Sequence, residues 1–352
     1  MAFEGQNLVG VDVGSSGVKV AVLKESRGKL ELSRFGYEAL PPHTVVDGNV
    51  MNRGAVVEAL RRTLQQAHVS QRECALSVSG HMVIIKKISV PMMTDAELDE
   101  QIPWEAEQHI PFDIKDVQID HQVLRRRPDQ GQMDILLVAA KREEISDYAS
   151  LATDARLRPM VVDIDAFCLQ NLFERTVGLP PAGTVMLLDV GASLTTLNIV
   201  SDGVSAFTRD IAHGGEAITE EIQKRLGVSR DVAEAYKCGG DGREVVPREV
   251  DEVIKNVVDG VAAEIQRSID FYLATIAEGE IGRVYLSGGT SRIRALGAAI
   301  ERRARVPVET FDPMQSMTVD AKYVDSTRLA DLAPLAGVAM GLSLRKARER
   351  RG

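Results

Sequence analysis

The sequence predicts a mixed α/β protein of two lobes that are built on a duplicated unit. Residues 9–23 (VGVDVGSSGVKVAVL) read as an apolar strand, a Gly/Ser turn and a second apolar strand. Residues 186–200 (MLLDVGASLTTLNIV) repeat this pattern at a constant offset of 177 residues. A third stretch, residues 284–294 (VYLSGGTSRIR), runs from an apolar strand through two glycines towards a helix. One Gly/Ser hairpin is usually only a turn, but two matched copies half a chain apart indicate a duplicated fold.

Length and composition agree with two lobes. A chain of 352 residues exceeds the usual size of one domain. Its 44% hydrophobic and 26% charged residues are typical of a globular protein, and the 4% aromatic content predicts a core of Val, Leu, Ile and Ala. The net charge of −9 argues against a general nucleic-acid binder.

The cysteines and the chain ends bear on the cellular compartment. Cys74, Cys168 and Cys238 have neither metal-site spacing nor a disulfide framework, so we expect reduced core thiols of a cytoplasmic protein. The first residues include Glu4 and lack the apolar segment of a secretory signal. The longest uncharged apolar stretch, residues 332–344, is too short to span a bilayer. Any membrane association is therefore expected to depend on a partner.

After the first hairpin, the pattern predicts a strand, a helix and a strand. Residues 30–39 read as a third strand that two prolines end. Residues 53–67 have apolar residues at helical spacing, and residues 74–79 form a short apolar strand. The resulting order is β-β-β-α-β.

From residue 82 the pattern changes, which predicts an inserted subdomain. Residues 82–90 read as a strand, and Thr94 with Glu97 forms a capping box for a helix over residues 95–109. Pro103 is expected to kink or restart that helix. The rest of the insert is two strands and a helix, over residues 117–124, 134–140 and 143–155.

Two features of the insert allow alternatives. Trp104, the single tryptophan, belongs either to the core or to a partner groove, and the general burial of tryptophan favours the core. The arginines at 125–127 could bind an anion, but their place before a Pro-Asp turn favours a solvated hairpin tip.

The second half repeats the alternation of strands and helices. A strand over residues 161–164 leads into a helix over residues 165–177, and residues 204–207 read as a strand after the second hairpin. Helices are predicted over residues 216–226, 230–238, 250–277 and 333–350. The last helix carries a basic tail at residues 345–351.

The two turns are suited to phosphate binding, because consecutive backbone N–H groups and hydroxyls at a loop tip can donate hydrogen bonds to an anion. The predicted phosphate-binding residues of the two hairpins are Asp12, Gly14, Ser15, Ser16, Lys19, Asp189, Gly191, Ala192 and Ser193. Asp12 and Asp189 are expected to hold Mg²⁺ through its water molecules, since this ion dehydrates reluctantly.

In this order, the three stretches resemble the phosphate-1, phosphate-2 and adenosine motifs of the actin, Hsp70 and sugar-kinase ATPase superfamily. Residues 100–113 (EQIPWEAEQHIPFD) and 134–148 (DILLVAAKREEISDY) narrow the resemblance to the PilM family of type IV pilus assembly proteins, relatives of FtsA. The resemblance implies an α/β, duplicated ribonuclease-H-like fold with an FtsA-type 1C subdomain inserted in the first lobe. It also implies four subdomains: 1A over residues 1–83, 157–183 and 318–352, 1C over 84–156, 2A over 184–213 and 281–317, and 2B over 214–280.

The resemblance implies ATP with Mg²⁺ as the ligand and adds an adenosine site. Its residues would be Gly215, Glu234, Lys237, Gly288, Gly289, Thr290 and Arg292. Glu234 and Lys237 share a helix face, and the alternative for them is a surface ion pair. Asp165 either positions metal or water at the γ-phosphate as a catalytic residue, or merely caps its helix.

One departure from the superfamily bears on catalysis. The second turn reads Gly191-Ala192-Ser193-Leu194 instead of consecutive glycines followed by threonine, so we expect slow hydrolysis or none. A small-molecule kinase or active ATPase of the same fold is the alternative. The family implies a scaffold held at the inner membrane by the cytoplasmic tail of a PilN-type protein, in a cleft between 1A and 1C whose contact residues are not identified. Other pilus proteins and self-association are further expected interactions.

Overall fold

The computed structural model describes residues 7–81, 83–180, 183–240, 245–276 and 279–347. Parts of three predicted segments lie outside the described residues, namely Met82, Ala277 and residues 348–351.

The first sheet begins with an antiparallel meander. Its strands and the following elements are β1 (Val9–Val13), β2 (Gly17–Ser26), β3 (Lys29–Ala39), the short pair β4 (Val45–Val46) and β5 (Asn49–Val50), α1 (Arg53–Gln66) and β6 (Glu73–Val78). The Asn52 side chain accepts a hydrogen bond from the Ala55 N–H and so caps α1. Val56 and Leu60 on the inner face of α1 are fully buried, which holds the helix against the sheet.

The insert is a three-stranded antiparallel sheet covered by a helix. Its elements are β7 (Val83–Pro91), α2 (Asp95–His109), β8 (Val117–Arg127), β9 (Gln132–Lys141) and α3 (Arg142–Asp154), and the strand order is β7-β9-β8. The predicted capping box of Thr94 and Glu97 is confirmed. Leu98, Ile102 and Ala106 form the buried stripe of α2, and they pack on the sheet.

Of the two outcomes expected at Pro103, a kink or a restart, the restart does not occur, because α2 is one helix from Asp95 to His109. A proline inside a helix costs about 3 kcal/mol. Burial of a leucine or isoleucine side chain contributes about 1.5–3 kcal/mol, so Leu98 and Ile102 before the proline and Ala106 after it offset that cost.

Trp104 is not a core residue, so the sequence prediction was wrong. Its side chain is 71% exposed. Since each helical residue turns by about 100°, Trp104 lies on the side of α2 opposite to the buried Ile102. The buried stripe of α2 consists of Leu98, Ile102 and Ala106, and the indole of Trp104 does not belong to it.

The arginines of residues 125–127 form the end of β8 just before the hairpin turn, and Arg125 and Arg126 are exposed, which agrees with the expected hairpin tip. Arg126 pairs with Asp95 and donates to the Met93 carbonyl at 2.8 Å. Arg127 pairs with the buried Asp134 at 2.5 Å. Two of the three arginines therefore fasten parts of the insert to one another.

The remaining strands complete two sheets of matching topology. The elements are β10 (Arg158–Ile164), α4 (Asp165–Thr176), β11 (Thr184–Val190), β12 (Thr195–Ser201), β13 (Val204–Ile211), α5 (Glu216–Leu226), α6 (Arg230–Lys237), α7 (Arg248–Thr275), β14 (Ile281–Ser287), α8 (Arg294–Ala304) and β15 (Val308–Thr310). Five strands of the first sheet lie in the order β3-β2-β1-β6-β10, and the second sheet has the order β13-β12-β11-β14-β15. In both, the first three strands are antiparallel neighbours and the last two add in parallel. The duplication predicted from the hairpins is confirmed, and the insert lies between β6 and β10.

The end of the described chain returns to the first sheet as β16 (Met317–Val319), α9 (Ser326–Leu332) and α10 (Gly337–Leu342). The predicted helix over residues 333–350 is wrong, because α10 ends at Leu342. The Ser343 hydroxyl there donates to the Leu8 carbonyl at 2.8 Å and accepts from the Leu23 N–H at 2.9 Å. Arg345, expected in a basic tail, pairs with the largely buried Asp163 at 2.6 Å.

A shared core joins the lobes. Leu23, Phe173, Leu187 and Met340 belong to one buried cluster, which combines both sheets with α4 and α10. A Cβ on Gly341 would lie 2.0 Å from the Cys168 carbonyl oxygen, so only glycine permits this approach of α10 to α4.

Cys74 and Cys168 are buried as expected, whereas Cys238 is exposed and does not belong to the core. Within the described ranges, every helix is too short or too polar to cross a bilayer.

Candidate functional site

A cleft of about 790 Å³ lies between the two sheets, in the size range of small-molecule sites. Both Gly/Ser turns line it, together with α6 and the segment that follows β14. Every residue that the sequence predicted for the site borders this cleft except Gly215.

The two turns have the same local geometry. The Gly14 N–H donates to the Gly17 carbonyl at 3.1 Å, and the Gly191 N–H donates to the equivalent Leu194 carbonyl at 2.9 Å. The strands on both sides are mostly buried, whereas the turn residues are partly exposed to the cleft. Each turn is thus held rigidly, with its tip open to a ligand.

Lys19 and Asp12 form an ion pair in the first hairpin, with Nζ 3.1 Å from Oδ2. Both are adjacent because β1 and β2 pair them directly across the hairpin. Burial alone would lower the pKa of Lys19, but the attraction of Asp12 and Asp189 outweighs it and raises this pKa. Lys19 is therefore a fixed positive charge at the turn.

Asp165 and Asp189 bring two more carboxyl groups to the same region. Burial, together with repulsion from Asp12, raises the pKa of Asp165 to about 8 and that of Asp189 to about 6. Asp165 is the first residue of α4, which has no side-chain cap. Its carboxylate instead accepts hydrogen bonds from Ser77 and Ser79, so the capping alternative does not hold.

The segment after β14 approaches the second turn closely. Gly288 has φ +86° and ψ 162°, a conformation that is essentially restricted to glycine, and a Cβ there would lie 2.4 Å from the Val190 carbonyl oxygen. The Thr290 hydroxyl donates to the Gly191 carbonyl at 2.7 Å. These contacts join the predicted adenosine segment to the predicted phosphate turn.

Gly215 lies behind the cleft lining. Its N–H donates to the Gly191 carbonyl at 3.0 Å, and a Cβ would come within 2.4 Å of the Thr290 hydroxyl. Its position therefore supports the second turn from behind.

Glu234 and Lys237 form a partly buried network. The Lys237 ammonium donates to Glu234 at 2.6 Å, to Thr219 at 2.8 Å and to the Gly215 carbonyl at 3.2 Å. Burial alone would raise the pKa of Glu234, but the hydrogen bonds from Lys237 and Thr219 outweigh it, and this pKa is lowered. The Lys237 side chain is only 11% exposed and that of Glu234 is 47% exposed, so the pair is more buried than a fully solvated surface ion pair.

The sequence reasoning missed several lining residues because they lie outside the glycine-rich stretches. Tyr37 and Tyr148 border the cleft, and their hydroxyls donate to the Ser16 and Gly48 carbonyls at 3.4 and 2.9 Å. Asp47, Gly48, Ser79, Asp251 and Ile254 are further lining residues. Tyr37 could have been found, because β3 pairs it with Lys19.

The carboxyl groups fit a cation that is bound through water. Among the described residues, no group of three or more His, Cys, Asp or Glu side chains could hold a metal ion directly. Nevertheless, Asp12, Asp165 and Asp189 interact electrostatically with one another, and Lys19 supplies one compensating charge. An additional cation would relieve this excess of negative charge.

Comparison with known proteins identifies the family. The family model for the type IV pilus assembly protein PilM matches residues 10–347. A chain of the solved PilM-PilN type IV pilus biogenesis complex is 26% identical, with a TM-score of 0.85 over 97% of this chain and 99% of that chain. The ethanolamine utilization protein EutJ from Carboxydothermus hydrogenoformans is 14% identical, with a TM-score of 0.59 over 98% of this chain and 91% of that chain, and shows the fold alone.

Cell division proteins are among the curated relatives. FtsA of Bacillus subtilis is 24% identical over 259 residues, and the match covers 65% of this chain but only 57% of that protein. FtsA of Pseudomonas aeruginosa is 23% identical over 359 residues, which cover 88% of this chain and 84% of that protein. Together with the matching sheets and the inserted subdomain, these similarities confirm the predicted two-lobe, actin-like fold. The chain belongs to the type IV pilus assembly protein PilM family.

Proposed function

We propose that this protein binds Mg-ATP in the cleft between its lobes and acts as a nucleotide-loaded scaffold in type IV pilus assembly. The observation that carries the proposal is the pair of equivalent turns that border one cleft, with Lys19 and Asp12 beside the first turn and Asp189 beside the second. Backbone amides of both turns bind the phosphate oxygens, and Lys19 adds a charge.

Asp12 and Asp189 hold Mg²⁺ through water in this proposal, with Asp165 beside them. When bound, the ion neutralises charge on the phosphates. Gly288 and Gly289 provide a surface without Cβ atoms for the adenosine, Arg292 packs on the adenine, and Glu234 with Lys237 faces the ribose. These five residues of the proposed adenosine site all border the cleft.

Slow turnover or none is part of the proposal. Ala192 and Leu194 stand where the superfamily has glycine and threonine, so the second turn has lost one hydroxyl and keeps that of Ser193. Stoichiometric ATP binding without acceptor-dependent turnover would distinguish this scaffold from a kinase of the same fold.

The four predicted subdomains are retained as proposals, with the boundaries given above. Support comes from the pairing of β16 with β3, which joins the C-terminal segment to the first sheet. The insert has its own cluster of buried residues, around Leu98 and Ile135, as a subdomain should.

The proposed partner is a PilN-type membrane protein, whose cytoplasmic tail lies between the first sheet and the insert. Support comes from the similarity to the chain of the PilM-PilN complex. Ile85 and Val138 on the insert sheet are only half-buried where that sheet faces the first lobe, and such positions can form apolar pockets for an extended peptide. The tail would hold the protein at the inner membrane.

A peptide titration tests the partner assignment. A labelled PilN-type tail is titrated against the wild type and against a variant that lacks residues 83–141 and retains α3, whose Tyr148 and Leu151 belong to the core of the first lobe. Retained Mg-ATP binding serves as the folding control for the variant. We expect the variant to lose the peptide, whereas equal binding would exclude the insert as the docking site.

A further inference from the structure

The exposed Trp104 lies on a surface outside the proposed tail-binding cleft. One face of the insert sheet packs against the first lobe through Ile85, Val138 and Ala140. The opposite face is covered by α2 through Leu98, Ile102 and Ala106. Trp104 is on the outer side of that helix, so the insert sheet separates it from the cleft.

The surroundings of Trp104 are acidic. Positions three and four residues away on the helix share its face. These neighbours are Glu100, Gln101, Glu107 and Gln108, and all four are exposed. We call these four residues and Trp104 the Trp104 face.

The carboxylates of this face are not occupied by ion pairs within the described residues. Asp95 and Asp99, elsewhere on α2, contact Arg126 and His121. Glu100 and Glu107 have no such partner in the described part of the chain, and α2 contains neither lysine nor arginine. The face thus combines an exposed indole with two free negative charges.

We propose that the Trp104 face binds a basic segment of a partner protein, which places an arginine or lysine on the indole between the two carboxylates. A cation over an indole ring is attracted by the ring electrons, and tryptophan is enriched among the residues that dominate binding interfaces. The negative charges disfavour the two common anionic partners, nucleic acid and an anionic lipid surface. The inference goes beyond the proposed function, because it adds a second partner surface.

The test uses a labelled short peptide of alternating arginine and leucine, with a glutamate–leucine peptide as the charge-reversed control. Trp104 is the single tryptophan of the chain, so a change in its fluorescence reports on this face alone. For variants without the indole, the fluorescence anisotropy of the labelled peptide gives the affinity. We expect Trp104→Ala to weaken binding at least about tenfold, as at an interface hot spot, and Trp104→Phe to recover part of that loss.

The charge contribution has its own matched pair of variants. Glu100→Gln with Glu107→Gln should weaken binding about threefold to tenfold and reduce its salt dependence. The control is Glu249→Gln with Glu280→Gln, an equal charge change at exposed positions of the second lobe, which should leave the affinity unchanged.

Three results would overturn the proposal. The first is equal affinity of the wild type and all variants, which would mean that the peptide binds through the overall negative charge. The second is a fluorescence change with anionic lipid vesicles but not with the peptide, which would identify a membrane contact. The third is self-association that Trp104→Ala abolishes while the peptide does not bind, which would identify a contact between copies of this chain.

Discussion

At the scale of single residues, the cleft is defined by a charge imbalance. Asp12, Asp165 and Asp189 interact there, and Lys19 is the basic group that pairs with Asp12. Burial disfavours the charged form of a carboxyl group, so an excess of acids is costly unless a ligand compensates it. This imbalance suits the proposed binding of Mg-ATP.

The first prediction concerns the residues that border the first turn. Asp12→Ala and Lys19→Ala should each reduce the affinity for Mg-ATP at least about tenfold, because each removes a buried charge or hydrogen bond worth about 1.5–3 kcal/mol. Fluorescence titration with a labelled ATP analogue gives the affinities. Lys24→Ala, on the same strand but 61% exposed at its side chain, is the matched control. Equal affinities in all three variants would contradict the assignment.

The second prediction concerns pH and the ligand-free protein. The pKa of Asp165 is raised from 3.8 to about 8, so between about pH 4 and pH 8 the folded state holds a proton that the unfolded state has lost. Stability then falls as pH rises through this window, since the unfolded state binds fewer protons. Asp165→Asn should flatten that decline, as measured by urea unfolding at a series of pH values. A decline of the same steepness in the variant would assign it to other groups.

The third prediction concerns Gly288. Gly288→Ala should cost more than about 3 kcal/mol of unfolding free energy, because it combines a glycine-only conformation with a clash against the Val190 carbonyl. Gly131→Ala is the matched control, since Gly131 also has positive φ but no atom within 4 Å of an added Cβ. The control should cost about 1–2 kcal/mol. Equal losses in chemical denaturation would mean that the contact with Val190 is unimportant.

At the scale of elements, one carboxylate connects the cleft to the insert. Asp210 on β13 accepts a hydrogen bond from the Thr196 hydroxyl at 2.7 Å, and Thr196 borders the cleft. The other carboxylate oxygen of Asp210 accepts a hydrogen bond from the Gly80 N–H at 2.5 Å. Gly80 lies in the loop just before β7. The second lobe thus holds the entry to the insert by a direct hydrogen bond.

The fourth prediction follows from that connection. Asp210→Ala should remove the protection of the Gly80 amide against hydrogen exchange, because its acceptor is lost. Binding of Mg-ATP should persist, but its effect on the affinity for the PilN-type tail should diminish. Hydrogen exchange measured by mass spectrometry, with and without Mg-ATP, checks the protection of the Gly80 amide. Titrations of the tail peptide check the effect of Mg-ATP on its affinity. Thr208→Ala, also on β13, is a control that leaves both hydrogen bonds of Asp210 in place. An unchanged exchange rate around Gly80 would refute the link.

Local patterns predicted most elements, because capping and apolar spacing act over a few residues. The Thr94–Glu97 capping box and the paired hairpins are of this kind. The differences from the prediction depended on tertiary contacts: the helix does not restart at Pro103 because α2 packs on its sheet, and α10 ends where Ser343 binds Leu8 and Leu23. Trp104 was wrongly predicted to be a core residue, because the prediction used the average burial of tryptophan. It did not consider that Ile102 already fills the inner face of α2.

At the scale of the whole molecule, the repeated hairpin was enough to predict the duplication and the cleft. Equivalent turns in two halves imply equivalent sheets, and the strand orders agree. The surroundings of the cleft were less predictable. Tyr148 comes from α3 and Asp251 from α7, and only the folded chain brings them to the same cavity.

The shared core explains how one ligand could act on the whole molecule. α4 starts at Asp165 in the cleft and continues into the cluster that contains Phe173 and Met340. A ligand that binds both turns is therefore expected to fix the relation of the lobes and to stabilise the entire fold.

The most direct test of this account is calorimetric titration of Mg-ATP into the full chain, with released phosphate measured in the same sample. We predict one binding site per chain, little or no phosphate release, and stabilisation by about 2.7 kcal/mol at a ligand concentration of about 100 times Kd. The absence of binding heat, together with a thermal midpoint that saturating Mg-ATP does not change, would contradict the account.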